Sequence, residues 1–172
     1  IANKTISNKF KHVVIFPGGN WKPKLWPVDN FNKLIKLIDK DYENIKFVIV
    51  GSLKEREIFF NQIINNIDEE KIIDLMGQSL TLSSAIMKKS NLFIGNDSGL
   101  MHLSSASDLN TIALFGPTND KIYSPIGIKS FVIRTKESFE FLNKNIINEN
   151  KTYMSSISPK EVIDLIKRNN LI

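Results

Sequence analysis

Short apolar runs recur along this chain, each followed by a stretch of helical periodicity. That alternation limits the possible folds more than any other feature. The runs are His12–Phe16, Phe47–Val50, Ile72–Leu75, Leu92–Ile94, Thr111–Phe115 and Phe131–Ile133. Most are β-branched or aromatic and continuous, the pattern of strands covered on both faces of a parallel sheet. Helical patterns separate them at Val28–Lys40, Lys54–Asn66, Leu82–Lys89 and Gly99–Ala106. A final helix is expected over Pro159–Asn169, with Ser158 as N-cap, Pro159 at the first helical position and Glu161 at the third. Regular strand–helix alternation predicts an α/β fold, a Rossmann-like doubly wound parallel sheet with right-handed crossovers. A strand order of 3-2-1-4-5-6 would place the first and fourth strands side by side, with the ligand at the switch point between the loops that follow them. Glu137–Asn145 is compatible with a helix, and the Asn- and Lys-rich run after it reads as loop.

Those two loops carry the chemistry. The fourth strand runs into Asn96-Asp97-Ser98-Gly99, and a helical pattern with apolar Leu100, Met101, Leu103 and Ala106 follows. A strand that stops at such a turn and restarts as a helix presents free backbone N–H groups and a helix dipole. Both favour an anion, usually a phosphate. Asp97 adds an acceptor and His102 a titratable ring; the plainer reading makes Asp97 or Ser98 only an N-cap. The first strand ends at Pro17-Gly18-Gly19-Asn20 and continues through Trp21-Lys22-Pro23-Lys24-Leu25-Trp26-Pro27 into the next helix. Glycines let a backbone approach a ligand, and a lysine reaches a diphosphate as a point charge. Neither a Walker A order nor GxGxxG is present.

Composition narrows the classes. A chain of 172 residues with 42% apolar content can bury one real core. The absence of cysteine rules out disulfides and thiolate metal sites and fits a cytosolic setting. No apolar run approaches the ~20 residues needed to cross a bilayer, and Ile1 opens no signal peptide. The net charge of +5 comes from 23 basic and 18 acidic residues. Lysines such as Lys33, Lys36 and Lys40 fall on helix faces and form no basic stripe with exposed aromatics, so nucleic acid is not the expected partner. The two histidines, His12 and His102, lie far apart, and Asp97 has no DxD partner, so no metal site is expected.

The segments FPGGNWKPKLWP (Phe16–Pro27), FNKLIKLI (Phe31–Ile38), FVIVGSLKERE (Phe47–Glu57) and DLMGQSL (Asp74–Leu80) together resemble glycosyltransferase family 9, the ADP-heptose:lipopolysaccharide heptosyltransferases and their relatives. GNDSGLMHLSSA (Gly95–Ala106), ALFGPTND (Ala113–Asp120) and ISPKEVIDLI (Ile157–Ile166) extend the likeness from about Lys11 to about Ile166. GNDSG-x-MH followed by LFGPT at this separation is the specific part. The resemblance implies the C-terminal half of a GT-B glycosyltransferase, with residues 1–10 as linker and 11–172 as the sugar-nucleotide domain. The N-terminal acceptor domain, with its Asp base, would then lie outside this chain, which alone would be inactive. The implied donor is ADP-heptose or a related ADP-sugar, with no metal or other cofactor. The implied acceptor is a lipopolysaccharide or lipooligosaccharide core. The implied place is the cytoplasm, with room for peripheral contact with the bacterial inner membrane.

The resemblance also assigns residues. Lys24 aligns with the family's phosphate-binding lysine and, with Asp97, is the candidate catalytic pair: Lys24 on the leaving diphosphate, Asp97 toward the sugar hydroxyls. Its plainer reading is an exposed loop lysine, which suits Lys22 better. Gly18, Gly19 and Asn20 would line the cleft. Glu55 would take the adenosine ribose, or else serve only as a first-turn glutamate favouring the helix dipole. Met76, Gly77 and Gln78 would border the purine, or form an ordinary turn. Ser98 and Gly99 would cap the phosphate-binding helix, and His102 would line the donor pocket or be structural. Thr118, at the end of the fifth strand, would stand near the site without being assigned a role in it. The competing readings are a non-catalytic nucleotide-binding module, a transferase using another sugar nucleotide, and a sugar-nucleotide epimerase of related GT-B shape.

Overall fold

A computed structural model of the chain describes residues 6–64 and 67–172. The strands are β1 (Lys11–Phe16), β2 (Ile45–Ile49), β3 (Ile72–Asp74), β4 (Leu92–Asn96), β5 (Asn110–Phe115) and β6 (Ser130–Arg134). They form one sheet in the order β3-β2-β1-β4-β5-β6. Every pairing is parallel, including β1 with both β2 and β4. The expected α/β class and strand order are thus those observed, and β1 and β4 flank the switch point.

The uninterrupted apolar runs are explained by the two cores they divide between. Successive side chains on a strand point to opposite faces. Val13, Ile15, Phe47, Ile49, Leu92, Ile94, Ile112 and Leu114 enter one core. Their neighbours Val14, Phe16, Val48, Phe93, Ala113 and Phe115 enter the other. Helices cover both faces. On the first lie α1 (Val28–Asp41), through Phe31, Leu34, Ile35 and Ile38, and the closing helix, through Val162, Ile163 and Ile166. On the second lie α3 (Leu80–Met87), through Ile86 and Met87, and α4 (Gly99–Ala106), through Met101. Ile6, within residues 1–10 read as linker, also packs into this second core.

The helix expected over Lys54–Asn66 is present over 53–64 but is not uniform. This α2 is α-helical at Leu53–Glu55, π-wound at Arg56–Phe60 and α-helical again at Asn61–Ile64. The wider turn accompanies burial of both Phe59 and Phe60, adjacent residues that an ideal helix sets about 100° apart. Asn65 and Asn66 lie outside the described residues. A short α5 (Asp120–Tyr123) and α6 (Phe139–Asn145) precede α7 (Pro159–Asn169). Helix α7 starts as expected, with a reciprocal capping box between Ser158 and Glu161. Among the described residues no helix is long and apolar enough to cross a membrane.

Candidate functional site

The loops after β1, β2, β3 and β4 converge at the carboxyl ends of the strands around a cleft of about 790 Å³. Its lining includes Gly19, Asn20 and Lys24 from the first loop, Ser52 and Glu55 from the start of α2, and Gln78 from the loop after β3. Ser98, Gly99 and His102 enter from the start of α4. Eight of the twelve residues singled out in the sequence therefore meet in one hollow, of the size usual for small-molecule sites.

Lysine 24 ends a short 3-10 turn, Lys22–Lys24, started by Pro23. Its Nζ lies 3.4 Å from Asp97 Oδ2, and the two side chains are only 15% and 9% exposed. Asp97 stands beneath the cleft floor rather than in its lining, held through its own N–H to Leu114 O at 3.3 Å. Lys22 projects outward and borders a neighbouring groove.

Helix α4 is capped by Ser98, whose Oγ accepts from Met101 N at 3.3 Å. The N-cap reading of Ser98 is therefore correct, and it coexists with a place in the cleft wall. Gly99 has open space where a Cβ would stand. The first-turn N–H groups of an α-helix lack intrahelical acceptors, so this open end is a natural anion seat. His102 is exposed one turn further on. Leu100, Leu103 and Ala106 form the apolar wall of the cleft, Leu100 and Leu103 also packing against the second core, and Met101 is fully buried in it.

Glu55 caps α2 and also lines the cleft. Its Oε2 accepts from Ser52 N at 2.7 Å and Ser52 Oγ at 2.8 Å, closing a capping box with Glu55 N. Its Oε1 lies over Gly18, where any Cβ would collide with it. Gly18 is buried below the cleft, and a side chain there would have to displace the Glu55 carboxylate. Met76 is likewise a core residue at 3% exposure, its N–H bonded to Asp74 Oδ1 at 3.0 Å. Gly77 makes the turn at φ 82°, a left-handed conformation that glycine adopts at little cost. Of that trio, only Gln78 reaches the cleft lining.

Two contributors escaped the sequence reading. Asn96 is fully buried, and among the described residues its side chain bonds only to the lysine loop, as described below. The loop around Thr152–Ile157, where periodicity fails, folds back across the outside of that loop. Tyr153 N donates to Pro23 O at 3.0 Å, Thr152 Oγ1 donates to Leu25 O, and Trp26 Nε1 donates to Ile157 O at 2.9 Å. Thr118 does not line the cleft, and its Oγ1 is buried with no hydrogen-bond partner among the described residues. His12 is buried near the start of β1, at the other end of the sheet. Burial, aided by the Lys46 ammonium, pushes its ring below the usual histidine range.

A parallel α/β sheet whose switch point opens into a cleft with a sheltered lysine and a free helix start defines a Rossmann-like ligand-binding domain. Residues 2–151 match glycosyltransferase family 9 (heptosyltransferase), and the chain belongs to that family. It is 28% identical over 167 residues to lipopolysaccharide heptosyltransferase 2 of Escherichia coli K12, covering 93% of this chain and 47% of that protein. It is 31% identical over 134 residues to the Salmonella typhimurium protein of the same name, covering 74% of this chain and 37% of that one. The solved structure of E. coli ADP-heptose lps heptosyltransferase II superposes with a TM-score of 0.76 at 26% identity, over 96% of this chain and 48% of that one. A glycosyl transferase family 9 structure from Veillonella parvula gives a TM-score of 0.77 at 26% identity, over 97% and 48%. The chain therefore spans about half the length of the relatives it matches.

Proposed function

We propose that this domain is the C-terminal, donor-binding half of an inverting GT-B glycosyltransferase that transfers heptose or a related sugar from an ADP-sugar to a lipopolysaccharide-type core. The observation that carries the reading is the meeting of Lys24, Glu55 and the open start of α4 in one cleft at the switch point. An acid, a lysine and a helix start sharing one cleft supply the groups that a nucleoside diphosphate needs. Glu55 Oε1 is directed to the ribose hydroxyls, Gln78 and Leu80 border the base, and Lys24 with the α4 N–H groups takes the diphosphate. As the glycosidic bond breaks, negative charge grows on that diphosphate. A fixed ammonium and helix dipole stabilise the transition state more than the ground state. Asp97, 3.4 Å from Lys24 Nζ, would hold that ammonium from beneath. The acceptor hydroxyl would be deprotonated by a base on the other half and attack the anomeric carbon, with no covalent enzyme intermediate.

The test is calorimetric titration of this chain with ADP, UDP and GDP, with and without EDTA. ADP is expected to bind more tightly than UDP and to keep its affinity in EDTA, since the positive groups of the cleft belong to the protein. Equal affinity for UDP, or loss of ADP binding in EDTA, contradicts the reading.

A second expectation separates the two tasks of Glu55. Glutamine also completes a capping box, so Glu55→Gln keeps α2 capped and removes only the charge. Charged acceptors exceed neutral ones by about 1 kcal/mol, so ADP and adenosine should both weaken roughly fivefold with an unchanged unfolding midpoint. Unchanged affinity would leave Glu55 with the capping role alone.

A further inference from the structure

Asn96 ends β4, with its side chain fully buried between the sheet and the lysine loop. Its amide makes three hydrogen bonds, all to that loop. Oδ1 accepts from Trp26 N at 2.9 Å, and Nδ2 donates to Pro17 O at 2.9 Å and Gly18 O at 3.0 Å. The partners fix the orientation of the amide, because two carbonyls can only accept and a backbone N–H can only donate. One side chain thus ties both ends of the loop to the strand that carries Asp97. Backbone pairing cannot do this, since the β1–β4 ladder stops at Phe16 and Gly95. Aspartate has the right shape but no donors for the two carbonyls, and serine has only one.

Lys24 lies on this loop, and its ammonium is 3.4 Å from the carboxylate of the residue next to Asn96. The outer side of the loop is held separately, by Thr152, Tyr153 and Ile157. We propose that Asn96 is a positioning residue for the diphosphate subsite: its amide clasps the loop so that Lys24 stands in register with the N-terminus of α4. The inference rests on the nucleotide reading given above and deepens it. It assigns the placing of the cation to a residue that lies beneath the ligand.

The test is a double-mutant cycle in this chain with Asn96→Asp and Lys24→Ala, titrated with ADP and with adenosine. Asn96→Asp is expected to weaken ADP about tenfold, as befits one displaced charge-assisted contact, and adenosine by less than about twofold. In the Lys24→Ala background the same change should weaken ADP no further, because residues acting through one contact do not add. Equal losses for ADP and adenosine, or additive losses for ADP, overturn the proposal while leaving the nucleotide reading intact. Absence of ADP binding by the unaltered chain overturns both. Should Asn96→Asp fail to fold, hydrogen exchange of the Trp26 amide in the unaltered chain decides. ADP, but not adenosine, should slow it, because a ligand held by Lys24 stabilises the closed loop. Exchange unaffected by bound ADP overturns the proposal.

Discussion

Lys24→Ala is expected to weaken ADP binding by about ten- to a hundredfold while leaving adenosine binding within about twofold. Only ADP carries the charge that an ammonium attracts. The loss is expected at the upper end of that range because of Asp97. The two side chains are 15% and 9% exposed, so removing the cation leaves a sheltered carboxylate beside the incoming phosphates. An uncompensated buried charge costs more than the missing contact alone. Lys22→Ala is the internal control. It removes the same charge from the same loop, yet Lys22 is exposed outside the cleft, and less than a threefold effect is expected for about one screened surface charge. In the complete enzyme Lys24→Ala should also lower turnover, since the leaving-group charge is largest in the transition state. Equal losses for ADP and adenosine, or equal effects of the two lysines, would show that Lys24 does not hold the diphosphate.

Trp26→Ala is expected to cost about 3–5 kcal/mol of stability, the range for truncating a buried large aromatic. Trp26 is 1% exposed, its ring meets Phe31 edge-on with centroids 4.8 Å apart, and Nε1 donates to Ile157 O at 2.9 Å. The substitution empties the core under the lysine loop and frees the segment that straps it from outside. Domains of this size are stable by only about 5–15 kcal/mol, so the shift in the urea midpoint should be large. Trp26→Phe keeps an aromatic ring and loses the hydrogen bond, and should cost markedly less. A Trp26→Ala loss below about 1 kcal/mol would mean that the loop is held without this anchor.

Much of the fold was legible because it depends on local pattern. The β-branched runs and the one-sided periodicity of Val28–Asp41 and Pro159–Asn169 are properties of neighbours a few positions apart, and the structure places elements there with small shifts at the ends. The strand order expected of a Rossmann-like domain, 3-2-1-4-5-6, is the one observed. The lysine loop and the start of α4 were also legible, since glycine, proline and capping residues mark turns directly. What misled was burial. Gly18 was expected to line the cleft, yet it is buried next to the Glu55 carboxylate, and the side chain of Met76, expected to border the base largely through its backbone, lies in the core. Leu100 and Leu103, read only as apolar positions of a helix, both pack against the core and wall the cleft. Hydrophobicity cannot distinguish the side of a helix that meets a sheet from the side that meets an apolar pocket.

Sequence alone determined that parallel strands alternate with helices and that glycine-containing loops follow the first and fourth strands. It also placed a lysine in one loop and a helix start in the other. Those features are local, and each residue carries its own signal. Tertiary structure alone decided how the two loops are locked in register. Asn96 bonds to residues 70 and more positions away, and Trp26 to one 131 positions away. A lone asparagine at a strand end and an aperiodic stretch near Thr152 have no local signature. Their role exists only once the sheet has brought β1 beside β4 and the chain has folded back over both, leaving buried backbone groups that a side chain must satisfy.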